Sequence, residues 1–382
     1  MDAVSRVPPH WRYALLVFAV ARVVLSLLGV LVRRALEGAG AGPPEAERQM
    51  LQDQAAVSEH VWYSMWFAWD AFQYHNLAEL PWLSWAHTGF PLLYPVLGKA
   101  VATVTGGDTP LAMTLVSSAA YVVLLSYVYR WTLVIGKDPE DHGTARRACR
   151  FLALMPAAFL FQAPLTESLF LCLTVAAFYH AERGQWLLAS GIGYFAAMSR
   201  SVGFLIVIPL AMLALRDRKP RSLALLLVPA GWLTFMAYSY WKVGDWFDYQ
   251  NEQRRGWQIE PQNPLHTVWQ TLNDVEAPLI DRTRLWIALA VVALTLVGVA
   301  GPWRLHPAYA VYTVLLVLAS MTIGEVVYRS LLRYLLIAFP LAVLLARWTA
   351  RREAETAVAP ALACAQGVLF ALWIMYWTHT II

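Results

Sequence analysis

The sequence predicts an all-α polytopic membrane protein, and three observations carry that prediction. Of its 382 residues, 59% are hydrophobic and only 14% charged, with a mean hydropathy of +0.50, far too apolar for a soluble chain. Apolar runs of about twenty residues recur from Trp11 onwards, each long enough to cross a bilayer. No polar stretch between them is long enough to fold alone, so residues 1–382 read as a single integral membrane domain.

The first apolar run, from about Arg12 to Val32, is followed by Arg33-Arg34 without a small-residue cleavage pattern, and reads as a retained span rather than a removable signal. Apolar runs and their flanking charges then place about eleven spans, near 12–32, 110–130, 147–162, 165–181, 185–198, 201–215, 221–241, 284–301, 306–323, 330–347 and 357–379. With the amino terminus in the cytoplasm, the basic connections Lys137 to Arg150, Arg216 to Arg221 and Arg347 to Arg352 all fall on the cytoplasmic side. Two long connections, 33–109 and 243–282, then fall outside, and function is expected to concentrate there. Within the first, Gly38 to Glu47 reads as a flexible turn. Pro91 to Val104 is apolar but short, and reads as an interfacial or re-entrant helix.

The net charge of +4 is spread over loops, which argues for orientation in a bilayer and against nucleic-acid binding. Cys149, Cys172 and Cys364 lie in or beside spans without paired spacing, so they are expected to be packing residues rather than a disulfide framework or zinc site. Repeats, a Walker loop, a dinucleotide glycine pattern and a nucleophile elbow are all lacking, which disfavours nucleotide chemistry.

The polar residues that interrupt apolar sequence are the candidates for chemistry. Asp70 lies among Trp66, Phe67, Trp69, Phe72 and Tyr74, where a carboxylate can either accept a proton from an alcohol or cap a short interfacial helix. Glu167 and Arg200 fall at span ends, and a charge at a helix centre costs roughly 2.5–3.5 kcal/mol, less near an interface, so each needs a partner or a ligand. Glu325, Arg329 and Arg333 cluster at the outer mouth of the next-to-last span. Arg329 and Arg333, four apart, share one helix face if the helix begins early enough and suit a phosphate, and for Arg200 and Arg333 the alternative is a structural ion pair with Glu167 or Glu325, or snorkelling to the interface. Lys242 is expected to snorkel. The outer loop mixes Trp246, Tyr249, Gln250, Gln253, Arg254 and Trp257, the aromatic and carboxamide groups that bind sugar rings, or equally an aromatic belt. His75, five residues from Asp70, is poorly spaced to share a metal with it on a helix.

Trp69-Asp70-Ala71 with Tyr74, followed by Phe90-Pro91-Leu92-Leu93-Tyr94-Pro95, resembles a signature of the GPI mannosyltransferase II family and its prokaryotic relatives among the GT-C membrane glycosyltransferases. The resemblance continues in order through Pro156-Ala157-Ala158-Phe159 with Thr166-Glu167-Ser168-Leu169-Phe170, Ser199-Arg200-Ser201-Val202-Gly203, Gly244-Asp245 to Tyr249-Gln250, and Ser330-Leu331-Leu332-Arg333-Tyr334 leading to Phe339-Pro340. It departs at Leu165, where a tyrosine is common, at Phe90, where the phenylalanine is usually doubled, and in a long stretch before Asp70.

The resemblance implies inverting transfer of a sugar, usually mannose, from a polyprenyl phosphate to a hydroxyl of a glycolipid or glycan on the extracytoplasmic side of the cell membrane. By that analogy Asp70 is the general base, Arg200 and Arg333, with Arg329 beside them, hold the lipid phosphate, and Trp69, Tyr74, Tyr94, Glu167, Gln250 and Tyr334 bind sugar or acceptor. No nucleotide and no metal cofactor is expected, because the phosphate already activates the sugar. The rival expectation is a non-catalytic transporter or binder of polyprenyl-linked sugars.

Overall fold

The computed structural model describes residues 7–40, 45–80, 89–217, 220–274, 278–301, 305–324 and 327–375, and among them every regular element is helical. Helix α1 (Pro9–Gly38) opens on a proline, whose missing N–H is harmless in a first turn. It continues through residues 33–38, which the sequence assigned to the loop. Its Leu16, Val20, Val24, Leu27 and Leu31 are exposed, as a lipid-facing helix requires. The first long connection is itself helical, built from α2 (Glu45–Val57), α3 (Val61–Ser64), α4 (Asp70–Glu79) and α5 (Leu93–Ala102). The expected turn over 38–47 therefore narrows, since helix resumes at Glu45, and residues 41–44 lie outside the described residues. The short apolar helix expected after Pro91 is α5, ten residues long.

The bundle follows. Asp108 caps α6 (Thr109–Gly136) by accepting from the Leu111 N–H at 2.8 Å, and Asp141 caps α7 (His142–Leu154) through the Thr144 N–H at 2.9 Å. Then come α8 (Glu167–Glu182), α9 (Trp186–Ser199), α10 (Val207–Asp217) and α11 (Leu227–Val243), which Gly244 ends at φ +77°. The second long connection holds α12 (Asp248–Trp257) and α13 (Pro264–Asn273); α14 (Leu279–Ala300), α15 (Pro307–Met321), α16 (Val327–Leu335), α17 (Pro340–Trp348) and α18 (Arg352–Ile374) complete the chain.

Against about eleven expected spans, five helices among the described residues are long and apolar enough to cross a membrane, and a sixth if α16 and α17, bent by 59° at the break before Pro340, count as one. The physical reason is breakage. Segments near 147–162 and 201–215 are interrupted by 3-10 turns at Ala158–Gln162 and Ser201–Ile206, and α8, α9 and α15 have 16, 14 and 15 residues, short of the about twenty that a straight span needs. Hydropathy senses composition and not straightness. These short helices are largely core: α8 packs on α6 and α9, and α9 on α11. The last contact is close because position 231 is glycine, where a Cβ would sit 2.1 Å from the Tyr194 carbonyl oxygen. Cys149 and Cys172 are buried as expected, whereas Cys364 is exposed on α18.

The bundle has two chemically different ends. At one, basic connections meet: Arg147 donates to the Ala346 carbonyl at 3.0 Å, and Arg216 pairs with Glu182, the last residue of α8, at 3.1 Å. At the other lies Glu167, the first residue of α8.

Candidate active site

The backbone delivering Asp70 is held from three sides. Residues 64–68 are buried, yet their carbonyls find donors: Gln54 donates to Phe67 at 2.7 Å, and the Trp373 indole to Met65 at 3.2 Å. Arg22 of α1 lies 4.2 Å from the Trp66 ring centre and donates to the Gln162 carbonyl at 2.9 Å, stapling this segment to the one that launches α8. Trp69 then takes φ +55°, ψ −119°, a conformation that side-chain-bearing residues avoid, and the chain turns directly into α4 with Asp70 as its first residue.

Behind Asp70 a second network fixes the floor. The Tyr74 ring meets Phe90 and Tyr94 edge-on at 5.1 and 5.2 Å. Tyr94 is fully buried, its hydroxyl on the Met113 carbonyl at 3.0 Å and Ser117 Oγ at 2.6 Å, and Ser117 donates to the Leu165 carbonyl at 3.2 Å, two residues before Glu167. Arg200 sits in extended backbone between α9 and the following 3-10 turn, which aims it across the site, while Arg333 comes from α16.

These four charged residues form one cluster. Arg333 donates through Nη1 to Asp70 Oδ2 at 2.7 Å and through Nε to Glu167 Oε1; Arg200 Nη1 reaches the same Glu167 oxygen at 2.5 Å. Side-chain exposure orders them in depth: Glu167 0%, Arg333 9%, Arg200 12%, Asp70 23%. The glutamate is the buried anchor and the aspartate faces the opening. Buried charges persist when paired and hydrogen-bonded, and here each arginine has a carboxylate.

The cluster forms one wall of a cavity of about 990 Å³. Of the residues singled out from sequence, Trp69, Asp70, Tyr74, Arg200, Gln250, Arg329, Arg333 and Tyr334 line it. Tyr94 and Glu167 do not: expected to touch sugar or acceptor, they lie one layer back, Tyr94 beneath Tyr74 and Glu167 beneath the arginines. The pairing of Arg200 and Arg333 with Glu167 realises the structural alternative, although both arginines also reach the cavity. Glu325 lies outside the described residues. His75 pairs with Glu79 at 3.1 Å rather than with Asp70, and Lys242 lies over the Trp241 ring, 4.6 Å from its centre.

The second long connection closes the cavity against Gly89 and Phe90. Gln253 of α12 donates to the Gly89 carbonyl at 2.9 Å, and Trp257 meets Phe90 edge-on at 5.3 Å. Tyr249, Gln250, Gln253 and Trp257 line the cavity, whereas Trp246 stacks outside on Tyr240. Burial pushes the Tyr249 hydroxyl up to about 12 and raises that of Tyr74 as well, so both remain neutral donors at physiological pH. Gln250 Oε1 is buried without a hydrogen-bond partner among the described residues, an acceptor left for a ligand. Sequence reasoning missed Phe204 and the end of α15 at Ala319 and Ser320, which add apolar and small surface. Phe204 stands one residue after the Arg200 block, the only signal that could have found it.

Among the described residues no group of three or more His, Cys, Asp or Glu side chains gathers as a metal site would. No family model matches the chain, and no curated protein matches it in sequence. Among solved structures it is similar to the oligosaccharyltransferase of Archaeoglobus fulgidus. The apo crystal form gives a TM-score of 0.47 at 14% identity over 95% of this chain and 55% of the enzyme, and the complex with Zn and sulfate 0.45 at 13% over 94% and 52%. The chain thus spans about half the length of the enzyme to which it is similar.

Proposed function

We propose that this chain is an inverting GT-C glycosyltransferase, moving mannose from a polyprenyl phosphate to a hydroxyl of a glycolipid or glycan on the extracytoplasmic side of the cell membrane. The observation that carries the reading is the guanidinium of Arg333 joining Asp70, on the cavity wall, to a buried carboxylate shared with Arg200. A base and a pair of phosphate-binding forks then line one cavity, the groups that displacement of a lipid phosphate from a sugar calls for. Asp70 takes the acceptor hydroxyl proton as that oxygen bonds to the anomeric carbon. The bond from that carbon to the phosphate oxygen breaks on the opposite face, and the polyprenyl phosphate leaves with the electron pair. Arg200 and Arg333, with Arg329 nearby, stabilise the charge that develops on it.

Tyr74, Tyr334 and Trp257 offer rings against which a sugar can lie, and Gln250 Oε1 accepts from one of its hydroxyls. Metal and nucleotide have no part in this reading: the acids nearest the reacting centre, Asp70 and Glu167, are engaged by arginines, and the donor's own phosphate is the leaving group. The basic connections gather at the end opposite Asp70, which by the positive-inside rule supports the reading that the cavity opens to the outer face.

The test is transfer of radiolabelled mannose from polyprenyl-phosphate-mannose by membranes carrying the chain, beside Asp70→Asn at matched expression. The expected result is incorporation by the wild type and a loss of about 10²-fold or more in the variant. Undiminished incorporation by Asp70→Asn would remove the base, and a wild type inert towards every polyprenyl-linked hexose would sink the reading.

A further inference from the structure

At the basic end of the bundle, away from the cavity, two guanidiniums converge on one phenol. Arg130 Nη2 of α6 donates to the Tyr179 hydroxyl oxygen at 2.8 Å, and Arg183 Nη1, just beyond α8, donates to the same oxygen at 2.9 Å. Arg130 lies over the rings of Tyr179 and Tyr127, 4.5 and 5.5 Å from their centres, and Arg183 lies 5.5 Å from that of Tyr179. His180 completes the wall, its ring held between the Tyr127 hydroxyl at 3.2 Å and Gln185 Oε1 at 2.6 Å, and His10 of α1 is within electrostatic reach of Arg130.

The grouping lacks a counter-charge. Among the described residues no carboxylate pairs with Arg130 or Arg183. The acid nearest in sequence, Glu182, is turned to Arg216 at 3.1 Å and the Tyr309 hydroxyl at 2.6 Å. A neutral phenol accepts hydrogen bonds without cancelling charge, and the carboxyl end of α8 supplies only about half a negative charge. Two adjacent cations, their planes fixed by stacking and a shared acceptor, retain unused N–H donors and need an anion. Arg130 stands within two turns of the end of the apolar helix α6, the depth at which a bilayer presents its phosphates.

We propose that Arg130 and Arg183 form a binding site for a phosphate group, delivered by the head group of an anionic phospholipid in the leaflet facing this end of the bundle. Each guanidinium turns its remaining donors to the phosphate oxygens, and Tyr179 holds the two in register. Arg183 is exposed and Arg130 half-buried, so the site is open to the lipid without unfolding.

The test is thermal unfolding of the purified full chain in detergent, titrated separately with phosphatidylglycerol, a phosphate-free glycosyl diacylglycerol and inorganic phosphate. Phosphatidylglycerol is expected to raise the unfolding temperature where the glycosyl lipid does not. Arg130→Gln/Arg183→Gln should raise its half-maximal concentration about tenfold or more. Arg183→Gln alone, at an exposed position, should give part of that loss. Stabilisation by inorganic phosphate at the same concentrations, lost in the double variant, would keep the site and change the source to free phosphate. Arg351→Gln/Arg352→Gln, which removes two exposed cations outside the cluster, should leave the titration within about twofold. Equal weakening by that pair would reduce the effect to general surface charge and overturn the site, as would a double variant that titrates like the wild type.

Discussion

Arg333 Nη1 lies 2.7 Å from Asp70 Oδ2, across 263 positions of sequence, while the Nε of the same guanidinium is bound to Glu167. One planar fork thus serves the carboxylate at the cavity and the carboxylate beneath it. A lysine carries the charge on one nitrogen and lacks the planar fork, so it cannot meet the two carboxylates from separate nitrogens as the guanidinium does. If the proposed function holds, Arg333→Lys is expected to lower mannose transfer about 10²-fold at matched expression, with KM for the lipid-linked donor raised. Transfer near the wild-type rate would mean that charge alone suffices and that the fork is incidental.

Glu167 is fully buried and accepts from both Arg200 and Arg333. Its removal leaves two neighbouring cations without the acid that justifies their burial. Glu167→Gln should therefore destabilise the fold by about 3–5 kcal/mol, the usual cost of breaking a buried pair from one side. Thermal unfolding in detergent measures this directly, and a midpoint unchanged from wild type would show that the glutamate is not the anchor.

Trp69 reverses an ordinary expectation. In most positions glycine is the less stable replacement, since it has more backbone freedom to lose, but at φ +55° and ψ −119° any Cβ is strained. Both Trp69→Gly and Trp69→Ala lose the indole, and only the glycine also relieves the backbone. The glycine variant should be the more stable of the two by about 1 kcal/mol. Paired unfolding measurements decide it; an alanine variant as stable as the glycine one would place Trp69 in unstrained backbone.

Much of the site was legible because its members interrupt apolar sequence. Asp70, Glu167, Arg200 and Arg333 are conspicuous as charges in largely apolar stretches, and all four meet in one cluster. Their depth was not legible. Whether a polar residue at a span end faces the cavity or sits behind it depends on the packing of distant helices, which is why Glu167 and Tyr94 stand a layer further back than expected. Helix α2 escaped notice for a related reason: it is largely polar, and its contribution to the site is a carboxamide, Gln54, satisfying the Phe67 carbonyl. The short spans were obscured by 3-10 turns and by Pro340, which alter direction without altering composition.

Gly203 ties stability to the placement of Arg200. Its N–H donates to the Arg200 carbonyl at 2.9 Å, and a Cβ there would lie 2.4 Å from the Ala196 carbonyl oxygen and 2.7 Å from the Cα of Ala197. Those obstacles are backbone, so the 3-10 turn itself must move, carrying Arg200 away from Glu167 and the cavity. Gly203→Ala should cost about 1–3 kcal/mol of stability and raise KM for the donor. Gly191 is the control within the same region: it lies inside α9 with nothing within 4 Å of its would-be Cβ, so Gly191→Ala should be neutral or stabilising by up to about 1 kcal/mol. Unfolding midpoints and donor titrations of the two variants, side by side, separate the effects. If Gly203→Ala unfolds like Gly191→Ala and binds donor normally, the close approach of the turn to α9 has no part in holding Arg200.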